Sequence, residues 1–279
     1  MQIVRSIRDL RQRLAAQRAG TIGFVPTMGA LHAGHARLIE SCVRDSACTV
    51  VSIFVNPSQF NDPSDFTHYP RSFESDASLC ASLGANIVFA PPEQEIYPAP
   101  QQAFVEVARV SEPLEGAFRP GHFRGVATVV MKLFQIVQPH RAYFGEKDAQ
   151  QLAVIRRMVA DLNVPVEIVG VATVREPDGL AMSSRNQRLT PSDRALAPLL
   201  YQALQLAASR IAQGVRDPAA ITREAAATLA RSEIQIEYLE IVDADSMQPV
   251  TLIEGPVRIA VAAKLGSVRL IDNILVTVP

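Results

Sequence analysis

The chain has 279 residues, of which 48% are hydrophobic and 20% are charged, as is typical of a globular protein of roughly two domains. Its formal net charge of −1 gives no electrostatic basis for binding nucleic acid, so we expect small molecules or a second copy of the chain as partners. The three cysteines show no C-x-x-C spacing, which argues against a zinc ribbon and a disulfide framework and favours a cytoplasmic location. No apolar run approaches about 18 residues, which argues against a membrane partner.

The first part of the chain alternates short apolar runs with helical patterns. A first helix is expected from the spacing of apolar residues between Ile3 and Leu14. The alternation that follows predicts a parallel β-sheet with helices on its faces, in an α/β domain covering residues 1–174. The expected strands are 21–26, 49–55, 86–90, 142–144 and 166–173, and the further helices are 34–45, 73–83, 122–137 and 148–162.

A smaller α+β domain is expected over residues 175–279. Thr190 as a helix cap, with Pro191 after it, predicts a helix running to about Gln213. The stretch 175–186 has little periodicity and lies at the expected domain boundary, where ligands commonly bind. A second helix is expected at 218–232, and antiparallel strands with one solvated face at 234–243, 257–263 and 268–278.

Two histidines, His32 and His35, fall on the predicted turn from a strand into a helix. The first turn of a helix has unpaired N–H groups and about half a positive charge, which attract phosphate, and Gly29 and Gly34 allow a close approach to the backbone. The glycine spacing matches a P-loop, but His35 replaces its lysine and Ala36 its hydroxyl, and no G-x-G-x-x-G occurs. We therefore expect a nucleotide held by histidine and backbone.

Three other polar clusters follow predicted strands or lie in the boundary loop. Asn56 and Gln59 follow the second strand, Gly145–Gln151 opens a helix, and Ser183–Arg185 offers hydroxyls and a guanidinium suited to phosphates. Simpler interpretations remain for each, namely an Asn-Pro turn, a helix cap with a solvated lysine, and a serine-rich loop. The basic loop 119–125 could cover the site or form a plain interdomain turn.

These motifs together closely resemble the pantothenate synthetase family, the pantoate–β-alanine ligases among the H-x-G-H nucleotidyltransferases. The resemblance runs nearly end to end and implies a Rossmann-like first domain, a smaller α+β second domain, a homodimer, and a requirement for ATP and Mg²⁺. The motifs that carry it are Pro26–His35, Phe54–Phe60, Phe118–Val126, Phe144–Gln151 and Arg175–Asn186.

The resemblance also implies residue roles. His32, His35, Lys147 and Arg185 would be catalytic, supplying positive donors to the phosphates, with His35 as a candidate proton donor. Pantoate and β-alanine would be held by Gln59, Gln151 and the adjacent Asn56. Asp76 matches an acidic position linked to magnesium in the family, although the residue before it is Ser75, where an acidic neighbour is common. The implied ATP-binding residues are Met28, Gly29, Ala30, Leu31, His32, Ala33, Gly34, His35, Gly145, Glu146, Lys147, Asp148, Val174, Met182, Ser183, Ser184 and Arg185.

The expected reaction is the coupling of pantoate to β-alanine through pantoyl adenylate, with release of pyrophosphate and then AMP. Three alternatives remain at this point. A nucleotidyltransferase would keep the nucleotide in its product, and a nucleotide sensor would bind ATP without releasing pyrophosphate. A structural zinc protein would use His32, His35 and Cys42 as ligands.

Overall fold

The computed structural model describes residues 1–61, 66–230 and 233–278, which form two compact units. The first comprises Met1–Ala108, Arg119–Glu146 and Val154–Ala172, and the second comprises Arg109–Phe118, Lys147–Ala153 and Thr173–Pro279. Two short segments of the first 174 residues therefore cluster with the second unit. The domain boundary at residue 174 stays a prediction.

The first unit is built on a six-stranded parallel sheet, which confirms the α/β fold class. The spatial order of the strands is β1-β4-β3-β2-β5-β6. Successive strands step outward from β2 to β3 and β4, and β5 returns to the other side of β2. The strand order thus reverses between β2 and β5, and ligands of open α/β sheets bind at such a reversal, outside the carboxyl ends of the strands. The strands are β1 (Gln2–Val4), β2 (Ile22–Thr27), β3 (Cys48–Ile53), β4 (Ile87–Phe89), β5 (Arg141–Gly145) and β6 (Glu167–Val171).

The first helix begins later than its apolar spacing predicted. Gln2–Val4 form an edge strand paired in parallel with β4, so the expectation of helix from Ile3 is wrong. Ser6 accepts a hydrogen bond from the Asp9 N–H at 3.1 Å and starts the helix after this strand. The described helices up to residue 161 include α1 (Ile7–Ala15), α2 (Ala33–Asp45), α3 (Phe73–Ser82), α4 (Glu93–Ile96), α5 (Glu115–Phe118), α6 (His122–Val137) and α7 (Ala149–Asp161).

The core of the first unit explains which residues form these elements. Apolar side chains of β2, β3 and β4 pack against the apolar face of α2. Val25 and Val51 are fully buried, as are Ile39 and Cys42 on α2. Because both faces of a parallel sheet are covered, its strands are continuous apolar runs, and the sequence reveals them clearly.

The second unit packs helices on a three-stranded antiparallel sheet. The helices are α8 (Pro191–Leu196), α9 (Leu199–Ala212) and α10 (Pro218–Thr228), and the strands are β7 (Ile234–Asp243), β8 (Val257–Leu265) and β9 (Val268–Val276). The expected single helix from Pro191 to Gln213 is wrong, because Pro198 has no N–H and interrupts the helical hydrogen bonds. The second expected helix ends at Thr228, and its last residues, 231–232, lie outside the described residues.

The expectation of one solvated sheet face is wrong for the central strand, β8. Ile259 and Val261 face the helices, while Arg258, Ala260 and Ala262 on the opposite face are also buried. Contacts from the sheet to Glu115 and to the Lys147 carbonyl show that segments Arg109–Phe118 and Lys147–Ala153 lie on this second face. No helix in the described part of the chain is long and apolar enough to cross a membrane.

Candidate functional site

The turn between β2 and α2 has an unusual backbone that its sequence permits. Gly29 has φ of +82° and Ala30 has φ of +50°, both in the left-handed region. A Cβ at position 29 would lie 3.0 Å from a carboxylate oxygen of Asp76, so a side chain there would crowd Asp76 as well as strain the backbone. The Gly29 N–H donates to Thr27 Oγ1 at 3.2 Å, which ties the turn to the end of β2.

Asp76 holds this turn from the first turn of α3. Its carboxylate is buried, and it accepts the N–H groups of Ala30 at 2.9 Å and Leu31 at 2.8 Å. Ser72 Oγ donates to the same carboxylate at 3.2 Å. A carboxylate that accepts two backbone N–H groups fixes the path of the chain over those residues.

The two histidines cap α2 through their rings. His32 Nδ1 accepts the Gly34 N–H at 3.1 Å, and His35 Nδ1 accepts the His32 N–H at 3.3 Å, a reciprocal capping box. Their ring centroids are 4.2 Å apart. A ring nitrogen that accepts a hydrogen bond carries no proton, so Nε2 carries it in both rings. The histidines are thus neutral N–H donors in this geometry, and not the positive donors expected from the sequence.

The segment after β3 orients the amide of Gln59. Asn56 Nδ2 donates to Gln59 Oε1 at 3.0 Å and to the Gly125 carbonyl at 3.3 Å, while Asn56 Oδ1 accepts from Ser58 and Tyr97 hydroxyls. These bonds use both donors of the buried Asn56 amide and both lone pairs of its oxygen. Asn56 therefore fixes Gln59, whose Nε2 lies 3.1 Å from the Met28 sulfur.

The basic segment 119–125 holds the backbone of Gln59, a role that neither sequence interpretation included. His122 Nδ1 lies 2.8 Å from the Gln59 carbonyl, and Arg119 Nη1 lies 3.2 Å from His122 Nε2. Because the guanidinium only donates, Nε2 accepts and Nδ1 donates to Gln59. A Cβ on Gly125 would lie 2.3 Å from the Ser58 carbonyl oxygen, so glycine allows this close approach.

In the second unit, Lys147 lies in a short 3-10 helix, Glu146–Asp148, that leads into α7. Its carbonyl accepts a hydrogen bond from Asn273 Nδ2 at 2.8 Å. Asp148 is exposed, and Gln151 lies in the first turn of α7. Before Lys147, Gly145 ends β5 and Glu146 follows it in the first unit.

The boundary segment is an ordered hairpin in the second unit. Met182 N–H donates to the Val174 carbonyl at 2.9 Å, which brings together two residues expected to bind ATP. Ser183 Oγ accepts the Arg185 N–H at 3.2 Å and begins the 3-10 helix Ser184–Arg188. Asn186 Nδ2 donates to Glu176 at 2.8 Å and closes the hairpin.

Several residues that hold these predicted site residues have no recognisable signal in the sequence. Glu176 and Asp178 both pair with Arg194, and Arg175 pairs with Asp272. Asp272 and Asn273 lie in a strand whose alternating pattern gives no sign of a role at a site. Arg175, Glu176 and Asp178, by contrast, lie within the motif Arg175–Asn186 that the sequence had identified.

The described residues contain no group of three or more His, Cys, Asp or Glu side chains that could hold a metal ion. The zinc alternative also fails on geometry, because Cys42 is fully buried in the core, where burial raises its pKa to about 11. The oxygens of Asp76 already accept backbone and hydroxyl hydrogen bonds. They do not fit direct ligation of magnesium, since coordination would compete with the bonds that shape the turn.

Comparisons with known proteins agree over the whole chain. A family model described as pantoate-beta-alanine ligase matches residues 2–275. The chain is 50% identical to pantothenate synthetase 1 of Bradyrhizobium diazoefficiens, covering 99% of both chains, and 51% identical to pantothenate synthetase of Cereibacter sphaeroides, covering 98% of both.

Solved structures give the same result. The pantothenate synthetase of Thermus thermophilus has 47% identity and a TM-score of 0.93, with 98% of this chain and 99% of that one covered. The pantoate-beta-alanine ligase of Francisella tularensis, complexed with β-γ ATP and β-alanine, has 36% identity and a TM-score of 0.83, with 99% and 97% covered.

Proposed function

The chain belongs to the pantoate–β-alanine ligase family, and on this premise we propose that it joins pantoate to β-alanine at the expense of ATP. The observation that carries the proposal is the similarity, over 99% of the chain, to a ligase solved with β-γ ATP and β-alanine. The local geometry supports it, because the H-x-G-H turn follows β2, next to the strand-order reversal where α/β proteins bind ligands.

The chemistry requires activation of the acid. A carboxylate resists attack by an amine because it is anionic and lacks a good leaving group. In the proposed reaction a pantoate carboxylate oxygen attacks the α-phosphorus of ATP, and the bond to pyrophosphate breaks. The amine of β-alanine then attacks the acyl carbon of pantoyl adenylate, AMP leaves, and the amine loses a proton as the amide forms.

We assign the phosphate contacts to four side chains of the predicted site. The Nε2–H groups of His32 and His35 would donate to phosphate oxygens at the start of α2, where the helix terminus also favours negative charge. Lys147 and Arg185 would supply the positive charge, and His35 remains the candidate proton donor. Catalysis would rest on position and charge stabilisation, as in other transfers at phosphorus. The other ATP-binding residues keep the roles that the resemblance implies.

The acid and the amine would be held by amides. The Gln59 amide is fixed by Asn56 through its oxygen, so its N–H groups face away from Asn56. One of them lies against the Met28 sulfur, and the other would donate to pantoate. Gln151 would make a second contact to pantoate, and Gln59 would also face β-alanine. On this view Asn56 acts through Gln59, since its own polar atoms are all engaged within the protein.

Magnesium would reach the enzyme mainly on the phosphates of ATP, because Mg²⁺ commonly takes only one or two carboxylates from the protein and the rest of its ligands from substrate phosphates and water. The hydrogen bonds that Asp76 already makes do not favour a direct contact between its carboxylate and the ion. A cytoplasmic homodimer is part of the same proposal, and sedimentation of the purified protein tests the dimer.

The decisive experiment measures pyrophosphate and AMP from ATP, magnesium and pantoate, with and without β-alanine, at enzyme concentrations that reveal one turnover. Pyrophosphate stoichiometric with enzyme without amine, followed by sustained AMP release on addition of β-alanine, is the expected result. ATP binding without pyrophosphate in either condition would instead indicate a nucleotide sensor. A dinucleotide product would indicate a nucleotidyltransferase.

A further inference from the structure

Two adjacent residues near the end of the chain lie buried on opposite faces of the C-terminal sheet. Asp272 and Asn273 in β9 are 5% and 6% exposed. Asp272 is paired with Val261, on the face that packs against the helices, and Asn273 with Ala260, on the opposite face. Polar side chains at such depth need partners, so their partners indicate what they do.

The Asn273 amide is fixed in one orientation. Arg258 Nη1 donates to Asn273 Oδ1, so the oxygen must face Arg258. The amide nitrogen then faces the Lys147 carbonyl, to which it donates at 2.8 Å. The buried amide thus joins the C-terminal strand to the backbone of the lysine assigned to the phosphates.

Asp272 fixes the same strand from its other face. Its carboxylate accepts the Asn273 N–H at 2.7 Å and pairs with both Nη atoms of Arg175, at 2.6 and 3.0 Å. The Arg175 guanidinium stacks 3.7 Å from the centre of the Tyr201 ring and also donates to the Asn273 carbonyl. Burial raises the pKa of Asp272, while the charges of Arg175 and Lys147 act in the opposite direction.

The turn that carries Lys147 is also held on its other side. Gln150, in the first turn of α7, accepts the Glu115 N–H at 3.0 Å and donates to the Val110 and Pro113 carbonyls. The Glu115 carboxylate in turn accepts hydrogen bonds from Arg269 and Tyr238, whose side chains lie on the same face of the sheet as Asn273. The sheet therefore forms a platform for both segments, and Asn273 is its contact to Lys147 itself.

We propose that Asn273 is a positioning residue that places the Lys147 backbone for reaction at the α-phosphate. This inference rests on the proposed function and adds a residue to it. Lysine has a long flexible side chain, so the position of its ammonium depends on where its backbone is held. A displacement of about 1 Å at a reacting group can cost about 100-fold in rate, which makes a backbone anchor valuable.

The test compares variants at position 273 in the single-turnover reaction. Asn273→Asp keeps the shape and the acceptor for Arg258 but removes the donor, and Asn273→Ala removes both. We expect pyrophosphate release to slow by roughly 10- to 100-fold in each, with the KM for pantoate changed little. Gln248→Ala is the matched control, because Gln248 also donates from its amide to a backbone carbonyl, that of Arg109, in the same unit. It should react at the rate of the unchanged protein.

A double-mutant cycle then decides whether Asn273 acts through Lys147. Once Lys147 is replaced by alanine, the further change Asn273→Asp should slow the reaction by less than about twofold, because there is no ammonium left to place. Full additivity of the two effects would overturn the proposal. So would an Asn273→Asp protein that unfolds at a lower temperature but reacts at the unchanged rate. Failure of the proposed function is distinguishable, because the unchanged protein would then release no pyrophosphate.

Discussion

The Met28–His35 turn and the Lys147 turn are both assigned to ATP, but they are held in place by different means. In the first, each histidine bonds to backbone two or three residues away and caps its own helix. In the second, the lysine backbone is held by Asn273, 126 residues further along the chain. One is organised mainly by local capping and the other by a distant strand.

The difference explains why the sequence reveals the bonds that support the first turn but not the bond that supports the second. Short-range bonds require particular residues at fixed spacing, so the H-x-G-H turn leaves a pattern in the sequence. A long-range anchor requires only that two segments meet in the folded chain, and it leaves no spacing to detect.

The largest effect is expected for Lys147→Ala. Loss of one well-placed positive donor costs about 2.7–4 kcal/mol in comparable sites, so adenylate formation should fall by roughly 100- to 1000-fold while the protein stays folded. Single-turnover pyrophosphate release measures it, and Lys264→Ala, which removes a half-exposed lysine of the same unit, is the control. A folded Lys147→Ala protein with near-normal turnover would remove Lys147 from the mechanism.

His32→Asn should separate capping from catalysis in the first turn. Asparagine is a favoured N-cap, and its oxygen can accept the Gly34 N–H, but it has no group equivalent to Nε2–H. We expect normal thermal unfolding with a loss of about 100-fold in pyrophosphate release. His32→Ala should show the same rate loss together with a helix destabilised by about 1 kcal/mol. If the His32→Asn protein were as active as the unchanged protein, His32 would only cap the helix and would not contribute to the reaction.

Asp76→Asn should weaken the long-range support of the first turn. Each carboxylate oxygen accepts a backbone N–H, and the amide nitrogen that replaces one of them cannot. We expect a loss of about 1–3 kcal/mol in the free energy of unfolding and a rise of about tenfold in the KM for ATP. Glu74→Gln removes the same charge from an exposed position in the same helical turn and serves as the control.

The magnesium dependence of the same variant sharpens the assignment of Asp76. A residue that only shapes the turn should leave the magnesium concentration for half-maximal rate unchanged at saturating ATP. A tenfold increase in that concentration would instead make Asp76 a ligand of the ion.

The smallest effect is expected for thiol modification. Burial raises the pKa of Cys42 and Cys80 to about 11 and also raises that of Cys48, so at pH 8 only about 0.1% of the first two thiols is ionised. Reactivity should appear only as the pH rises toward 11. Iodoacetamide at pH 8 should leave activity unchanged, and the unfolded protein should be labelled at all three cysteines. Inactivation of the folded enzyme would show that a cysteine contributes to the reaction.

Much of the fold was predictable because apolar periodicity reflects burial directly. Helix α6 has the predicted bounds, His122 to Val137, and strands β2 to β6 lie within about two residues of their apolar runs. Errors arose where local patterns were ambiguous or overridden. Ile3 and Val4 fit a helical spacing but pair with β4, and Pro198 divides a helix whose apolar pattern continues through it.

The sequence by itself determined the parallel α/β architecture, the H-x-G-H turn and the family, because periodicity, caps and motif spacing are local properties. The tertiary structure decided which bonds orient these groups. Asp76 shapes the turn before α2, His122 and Asn56 fix Gln59, and Asn273 holds the backbone of Lys147. Each of these contacts joins positions that lie far apart in the chain or whose bond depends on side-chain orientation. Folding alone brings such atoms within hydrogen-bonding distance, so a linear pattern does not contain them.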